Sequence, residues 1–214
     1  MPDTTTFALF VVAALALLIV PGPSVLYIVA RSVDQGRSAG LASVLGIEVG
    51  TLAHVLFATL GLSAIVASSA VAFTVVKWLG VAYLIWLGLA RLFARDDGEE
   101  MVPVERASLF RVFSQGVVVN LLNPKTALFF LAFLPQFVDP SRGSAWLQIM
   151  VLGVTLALLG LFTDGLYALL GGAAGGLLRR SYGSRGLRRA QRYFTGGVYL
   201  ALGAAAAASG SGKD

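Results

Sequence analysis

Ionisable side chains interrupt several of the long apolar stretches of this sequence. Glu48 and Asp164 are acidic, and Lys125 is basic. A charged group at the centre of a bilayer costs about 3 kcal/mol on insertion scales, so such residues are functional candidates. Because burial disfavours the charged form of a carboxyl group, we expect Glu48 and Asp164 to hold an ammonium group or a coupling proton. The alternative for Glu48 is a structural ion pair with Lys125 or an arginine.

Two short motifs predict breaks in helices that would otherwise cross the membrane. Residues 21–24 read Pro-Gly-Pro-Ser, and residues 120–125 read Asn-Leu-Leu-Asn-Pro-Lys. Proline removes a backbone donor and clashes with the preceding turn, yet it is favoured at the first position of a helix. A new half-helix is therefore predicted to begin at Pro23 and another at Pro124, each capped by the residue before it. A simple kink is the alternative at the first motif.

A half-helix that begins inside the membrane presents free N–H groups and the positive end of its dipole there. Two such ends near the middle of the bilayer form an anion site that suits a carboxylate, and Lys125 would add a full positive charge. The residues that we expect to bind a substrate come from the two motifs: Gly22, Pro23, Ser24, Asn120, Asn123, Pro124 and Lys125.

Enzymatic and metal chemistry have little support in this sequence. The chain contains no cysteine and one histidine, His54. Glu48 and His54 are six residues apart, about 120° around a helix, so they do not form a ligand pair. The His-Glu-x-x-His pattern of zinc hydrolases is absent. We predict no catalytic residue, no metal ligand and no cofactor, with a metal site across helices and a packing role for His54 left as alternatives.

The composition excludes a soluble globular domain. Hydrophobic residues make up 57% of the 214 residues and charged residues only 13%, against about 25% charged in a soluble domain. The net charge of +5 is better explained by membrane topology than by nucleic acid, because the basic residues lack the interleaved aromatics that stack bases. The predicted partners are the lipid bilayer and a small-molecule substrate, with no nucleic acid; a homodimer is compatible with this interpretation.

The apolar segments predict an all-α membrane protein with six transmembrane helices, since a membrane helix needs about 20 mostly apolar residues; the sixth segment is shorter than this and rich in alanine. The six segments lie at about residues 6–30, 40–67, 71–93, 113–138, 146–178 and 193–208. Short motifs recur in the same order in both halves, which predicts a three-helix repeat at residues 1–94, a cytoplasmic linker at 95–108 and a second repeat at 109–214. An odd number of helices in each half inverts the second repeat, which is typical of transporters.

The distribution of basic residues predicts the orientation. Arginines concentrate in the loop after the first helix, in the central linker with its edges, and at residues 179–192. Cytoplasmic loops carry an excess of Lys and Arg. These loops are therefore predicted to be cytoplasmic, and both termini are predicted to lie outside the cytoplasm.

The sequence resembles the lysine exporter (LysE/RhtB) family of bacterial amino-acid exporters over residues 7–205. The segments that carry the resemblance are residues 20–24, 31–41, 44–46, 77–84, 113–116, 120–130 and 134–137. The resemblance implies a multi-pass exporter in the bacterial inner membrane, driven by the proton gradient or by exchange. Ser24 stands where the homoserine/threonine branch often has Asn, and Gly50-Thr51 where a second acidic residue is common. These differences leave the substrate open.

Together these patterns predict a proton-coupled exporter of neutral or small polar amino acids. The two half-helix ends and Lys125 would hold the substrate carboxylate, while Glu48 or Asp164 would hold its ammonium group or the proton. Rocking of one repeat against the other would alternate access. The alternatives are an exporter of divalent metal cations, a membrane enzyme, and a non-transport scaffold with continuous helices and no polar cavity.

Overall fold

The computed structural model describes residues 2–68 and 106–173, together with isolated positions between residues 71 and 93 and at residues 200 and 204. All regular structure in these parts is helical, as the composition predicts. The α-helices are α1 (Thr4–Ile19), α2 (Pro23–Gln35), α3 (Arg37–Ser68), α4 (Leu109–Leu121), α5 (Pro124–Leu128) and α6 (Ala145–Ala173). The linker, except residues 106–108, and most of the third and sixth predicted spans lie outside the described residues, so the two inverted repeats stay a prediction.

The first predicted break is present between α1 and α2. The backbone leaves helical geometry at Val20, and α2 begins at Pro23 with Gly22 as an extended N-cap. The axes of the two helices differ by 52°. Extended residues between the two helices distinguish this break from a proline kink, in which the helix would continue through the proline.

The second predicted break lies between α4 and α5. Asn123 caps α5 by accepting a hydrogen bond from the backbone N–H of Lys125 at 3.0 Å. The segment from Pro124 onward is bent by 46° from α4. It continues as a π-helix at Phe129–Phe133 and a 3-10 helix at Leu134–Phe137. Both breaks therefore share a sequence motif, in which a capping residue precedes a proline at the first helical position.

The helices α3 and α6 are uninterrupted and contain the two single segments long and apolar enough to cross a membrane, Arg37–Leu62 and Ala145–Ala173. Each bent pair, α1 with α2 and α4 with α5, passes the same test when it is taken as one span. The described parts therefore contain up to four membrane-spanning segments. They carry large exposed apolar side chains along α3 and α6, as expected of surfaces that face lipid.

Close packing of α3 on α4 depends on small residues. A Cβ atom added at Gly46 would overlap the backbone carbonyl of Phe113, and one at Gly116 would lie 2.9 Å from the carbonyl oxygen of Ser43. Glycine at both positions lets the two backbones meet. This contact holds the middle of α4 against the first third of α3.

The start of α1 is tied to the loop before α6. The Asp3 carboxylate accepts a hydrogen bond from the backbone N–H of Thr6 at 2.8 Å and pairs with Arg142 at 2.9 Å. Arg142 also pairs with Asp139 at 3.4 Å. The bond from Thr6 is the largest cause that lowers the pKa of Asp3, so this N-cap stays charged at neutral pH.

Candidate substrate site

The two helix breaks meet in the interior of the protein. The Asn123 Nδ2 group donates to Ser24 Oγ at 2.7 Å, and Ser24 Oγ donates to Asn120 Oδ1 at 3.0 Å. The Lys125 ammonium group donates to the carbonyl oxygen of Val20, at the end of α1. Residues about 100 positions apart in the sequence thus form one cluster that joins α2 to α4 and α5.

A small cavity lies at this meeting point. Its volume is about 50 Å³, which is room for a few water molecules. The cavity is lined by Leu17, Leu18, Gly22, Ser24, Val25, Ile47, Glu48, Thr51, Asn120, Asn123, Lys125, Thr126, Phe129, Leu156, Gly160 and Asp164. Seven of the nine residues that the sequence predicts for the site are in this lining. The other two, Pro23 and Pro124, begin the half-helices and are not part of it.

Apolar clusters lie on both sides of the cavity. Leu17, Phe129 and Leu156 belong to a cluster of buried side chains from α1, α3, α6 and the π-helical segment. Ile47 belongs to a second cluster, which joins α2, α3 and α6. Since these four residues also line the cavity, its polar groups lie between two water-excluding layers, where electrostatic interactions are stronger than in water.

The Asn120 side chain is the centre of the hydrogen-bond network. Its Nδ2 group donates to the carbonyl oxygen of Ile47 and to Thr51 Oγ1, each at 2.8 Å. Its Oδ1 atom accepts from Ser24 Oγ at 3.0 Å and from Thr126 Oγ1 at 2.9 Å. A carboxamide has two N–H donors and two acceptor lone pairs, so all of its capacity is used. In this conformation Asn120 holds four segments together, and a direct bond to a substrate would require one of these contacts to break.

Sequence analysis missed two threonines of this network. Thr51 is three residues after Glu48 on α3, and Thr126 follows Lys125 on α5; both bond to Asn120. A threonine near a predicted site residue is only a weak signal, because its hydroxyl can be satisfied by its own helix. Thr51 Oγ1 also donates to the carbonyl oxygen of Ile47 at 3.2 Å, a bond of that kind.

His54 lies beside the network and outside the cavity lining. Its Nε2 atom is 3.1 Å from the carbonyl oxygen of Asn120. Its ring stacks on Phe130 with the centroids 5.8 Å apart. These contacts match the hydrogen-bonded packing role that was one of the two interpretations of this histidine.

The two buried carboxyl groups reach the cavity from α3 and α6. Glu48 is 9% exposed and Asp164 is 4% exposed. Within the described residues, Glu48 Oε2 has no hydrogen-bond partner and Glu48 forms no ion pair within 4 Å. The predicted alternative of a structural ion pair for Glu48 therefore finds no partner in this part of the chain. Asp164 interacts electrostatically with both Glu48 and Lys125.

The two half-helix ends differ in how their N–H groups are used. At α5 the Asn123 side chain accepts a hydrogen bond from the backbone N–H of Lys125. At α2 the cap is Gly22, which has no side chain, and within the described residues no hydrogen bond is formed by the N–H groups of Ser24 and Val25. The open end of α2 faces the cavity, and such an end binds anions.

A second polar layer closes the space between α2 and α4 beyond the cavity. Arg31, which is 4% exposed, donates to Gln35 Oε1 and to Gln115 Oε1, each at 2.6 Å. Tyr27 donates to the carbonyl oxygen of Val112 at 2.8 Å. Arg31 follows Ser24 by seven residues, or about two turns on the same face of α2. The layer therefore lies between the cavity and the ends of α2 and α4 at Gln35 and Leu109.

Comparison with known proteins settles the family. Residues 15–210 match the LysE type translocator family. The chain belongs to this family. A LysE type translocator is a transporter and not an enzyme, and the broken helices and buried cavity fit that role. No solved structure matches the chain.

Individual relatives of this LysE type translocator include an efflux protein. An uncharacterised membrane protein of Vibrio cholerae is 32% identical over 72% of this chain and 74% of its own length. An uncharacterised membrane protein of Bacillus subtilis is 33% identical over 70% of this chain and 75% of its own length. The homoserine/homoserine lactone efflux protein of Salmonella typhi is 33% identical over 63% of this chain, and the match spans 65% of that relative. The family and these relatives make the protein a membrane exporter.

Proposed function

We propose that this translocator exports neutral or small polar amino acids across the bacterial inner membrane in exchange for protons. The observation that carries the proposal is the cavity at which the two helix breaks meet. It contains an open helix N-terminus and an ammonium group, which suit a carboxylate, beside two carboxyl groups, which suit an ammonium group. Every amino acid has both a carboxylate and an ammonium group on its α-carbon, so the cavity matches the part that all amino acids share.

The carboxylate of the substrate would bind at the open end of α2. The N–H groups of Ser24 and Val25 supply donors and the positive end of the helix dipole. Lys125 would add its charge from the second half-helix, where its ammonium group now holds the carbonyl oxygen of Val20. Asn120 and Asn123 would act mainly by fixing the distance between the two half-helix ends, since their side chains bond to Ile47 on α3 and to Ser24 on α2.

The ammonium group of the substrate and the coupling proton would compete for the same carboxyl groups. A buried carboxylate oxygen without a partner is costly, and Glu48 Oε2 has no partner among the described residues. Either an ammonium group or a proton relieves that cost. The ammonium group and the proton cannot occupy the carboxylate at the same time. Release of the substrate therefore favours uptake of a proton, which is the requirement for exchange.

Transport further requires that the cavity opens to each side in turn. We infer that two inverted three-helix halves, residues 1–94 and 109–214, rock against each other around the cavity, with the linker at residues 95–108 in the cytoplasm and both termini outside it. The cavity of about 50 Å³ is smaller than an amino acid needs, so it would have to widen before a substrate could bind. The polar layer around Arg31 would then separate during opening.

Export of a divalent cation has less support. Within the described residues no group of three or more His, Cys, Asp or Glu side chains could hold a metal ion. Oxygen ligands from several carboxylates and carbonyls are what hard divalent cations prefer. The cavity offers two carboxyl groups next to an ammonium group, and the ammonium group weakens the binding of a metal cation while it suits the carboxylate of a zwitterion.

Efflux from reconstituted vesicles tests the proposal. Vesicles that contain the purified protein are loaded with homoserine, a small polar amino acid named in one relative, and its release is measured. We expect Glu48→Gln and Lys125→Ala to lower the initial rate about tenfold or more, since each removes a charged hydrogen-bonding group. Arg111→Ala removes an exposed charge on α4 and serves as the control. Release that is unchanged in both site variants would contradict the site.

Homoserine lactone provides a matched probe for the carboxylate site. The lactone keeps the ammonium group but has no carboxylate, because its acid group is part of a cyclic ester. If the α2 end and Lys125 hold a carboxylate, wild-type protein should release homoserine faster than the lactone, and Lys125→Ala should reduce that difference. Equal rates for both compounds in both proteins would contradict the assignment of this end of the cavity.

A further inference from the structure

Gly160 has no role in the site as described so far, although it lines the cavity. It lies four residues before Asp164 and four after Leu156 on α6, so the three residues share one face of the helix. All three line the cavity. Glycine in the middle of a helix is destabilising by roughly 0.5–1 kcal/mol relative to alanine, so its presence there calls for a reason.

The reason is the carboxyl group of Glu48. A Cβ atom added at Gly160 would lie 2.7 Å from Glu48 Oε1 and 3.4 Å from Glu48 Cδ and Oε2, and these are the three nearest atoms. The first distance is shorter than real Cβ atoms make. The Glu48 carboxyl group therefore rests directly on the backbone of α6, in space that any other residue would fill.

This contact places the carboxyl group between α3 and α6. Glu48 is buried, and its Oε2 atom has no hydrogen-bond partner among the described residues. With one oxygen unbonded, contact with α6 contributes to the position of the group. A methyl group at residue 160 would push the carboxyl group away, and the cavity is the open space beside it.

We propose that Gly160 is a positioning residue for the Glu48 carboxyl group, and that its lack of a side chain sets where the substrate ammonium group and the proton compete. This inference rests on the proposed function, in which Glu48 takes part in exchange. It predicts that a single methyl group on α6 changes proton coupling although no ionisable residue is substituted.

Two other glycines of the same helix provide matched controls. A Cβ atom at Gly165 would have no atom of the described residues within 4 Å, so Gly165→Ala adds a methyl group that overlaps none of them. A Cβ atom at Gly153 would lie 2.8 Å from the Val55 side chain on α3. Gly153→Ala therefore disturbs the packing of α3 on α6 to a similar extent, away from Glu48. A merely structural role for Gly160 predicts that its variant behaves like Gly153→Ala.

The experiment measures the pH dependence, kcat and KM of homoserine efflux in vesicles, with thermal unfolding in detergent for each variant. Gly160→Ala should shift the midpoint of the pH profile by about one unit, because a displaced carboxyl group has a different environment and shifts of this size are common in proteins. It should also raise KM severalfold. Gly153→Ala should lower the unfolding temperature and leave the pH profile in place. Gly165→Ala should change neither.

Shortening the carboxylate side chain provides a rescue. Glu48→Asp withdraws the carboxyl group by one methylene and so makes room for a methyl group at residue 160. Adding Gly160→Ala to Glu48→Asp should therefore change the pH midpoint and KM less than adding Gly160→Ala to wild-type protein does. If Gly160→Ala does not fold, recovery of folding in the double variant supports the contact with Glu48, and failure of both to fold overturns the inference.

The outcomes separate this inference from the proposed function. A Gly160→Ala pH profile identical to that of wild type, while Glu48→Gln abolishes efflux, would overturn the positioning role and leave the proposed function intact. If Glu48→Gln itself kept wild-type efflux and pH dependence, the proposed role of Glu48 would fail, and the role of Gly160 would fall with it.

Discussion

The side chains around the cavity divide into those that bond to one another and those with capacity left for a solute. Asn120 and Asn123 bond to their neighbours from the two breaks and α3. Glu48, by contrast, keeps a carboxylate oxygen without a partner within the described residues. Sequence patterns can nominate such residues by type, but they cannot separate the two groups, because saturation depends on contacts between distant segments.

Removal of the Asn120 side chain tests how much the hydrogen-bond network around it contributes to stability. Asn120→Ala deletes four hydrogen bonds and leaves the hydroxyl groups of Ser24 and Thr126 without their acceptor, so we expect a loss of about 2–4 kcal/mol in the free energy of unfolding. Thr155→Ala should cost less than about 1 kcal/mol, because the Thr155 hydroxyl bonds, among the described residues, only to the carbonyl oxygen of Val151 one turn earlier. Denaturant unfolding in detergent measures both. A loss in Asn120→Ala as small as that of the control would contradict the central role of this amide.

Helix breaks were predictable from local chemistry, because proline lacks the N–H that a continuing helix needs. The breaks at Pro23 and Pro124 and the caps before them appear where the sequence places them. The π-helix at Phe129–Phe133 was not predicted. Its aromatic rings pack against Phe10 and Phe137, so its geometry depends on tertiary contacts that no local pattern contains.

The capping residue of α5 has two separable tasks. Asn123 accepts from the N–H of Lys125 through Oδ1 and donates to Ser24 through Nδ2. Asn123→Ala removes both and should cost about 1–2 kcal/mol of stability. Asn123→Asp keeps an acceptor for the cap but loses the donor, so it should recover most of the stability and still slow efflux. The same unfolding and vesicle assays measure the two effects, and equal behaviour of the two variants would contradict this division.

For the whole molecule, length and hydropathy predicted the spans more readily than their relative arrangement. The described helices occupy the first, second, fourth and fifth predicted spans. The contact between the two breaks followed from combining the repeat with the dipoles of the half-helices. The repeat itself depends on short recurring motifs, such as Gly-x-x-Tyr-Leu at residues 80–84 and again at residues 196–200, and both tyrosines of this pair lie outside the described residues.

Membrane orientation can be tested directly because the chain has no cysteine. Arg106→Cys places a thiol on the exposed residues before α4, and Ser144→Cys places one on the exposed loop before α6. With the linker in the cytoplasm and the termini outside, a membrane-impermeant thiol reagent added to intact cells should label Ser144→Cys and not Arg106→Cys. Labelling of Arg106→Cys alone would reverse the orientation.

Proton movement driven by an amino acid tests the central claim most directly. Vesicles that contain the protein and a trapped pH-sensitive dye are given homoserine on one side, with no other gradient. The account predicts that homoserine drives protons in the opposite direction through wild-type protein, and that Glu48→Gln abolishes this movement while Arg111→Ala preserves it. Homoserine transport without any proton movement, or proton movement that survives in both Glu48→Gln and Asp164→Asn, would contradict the account.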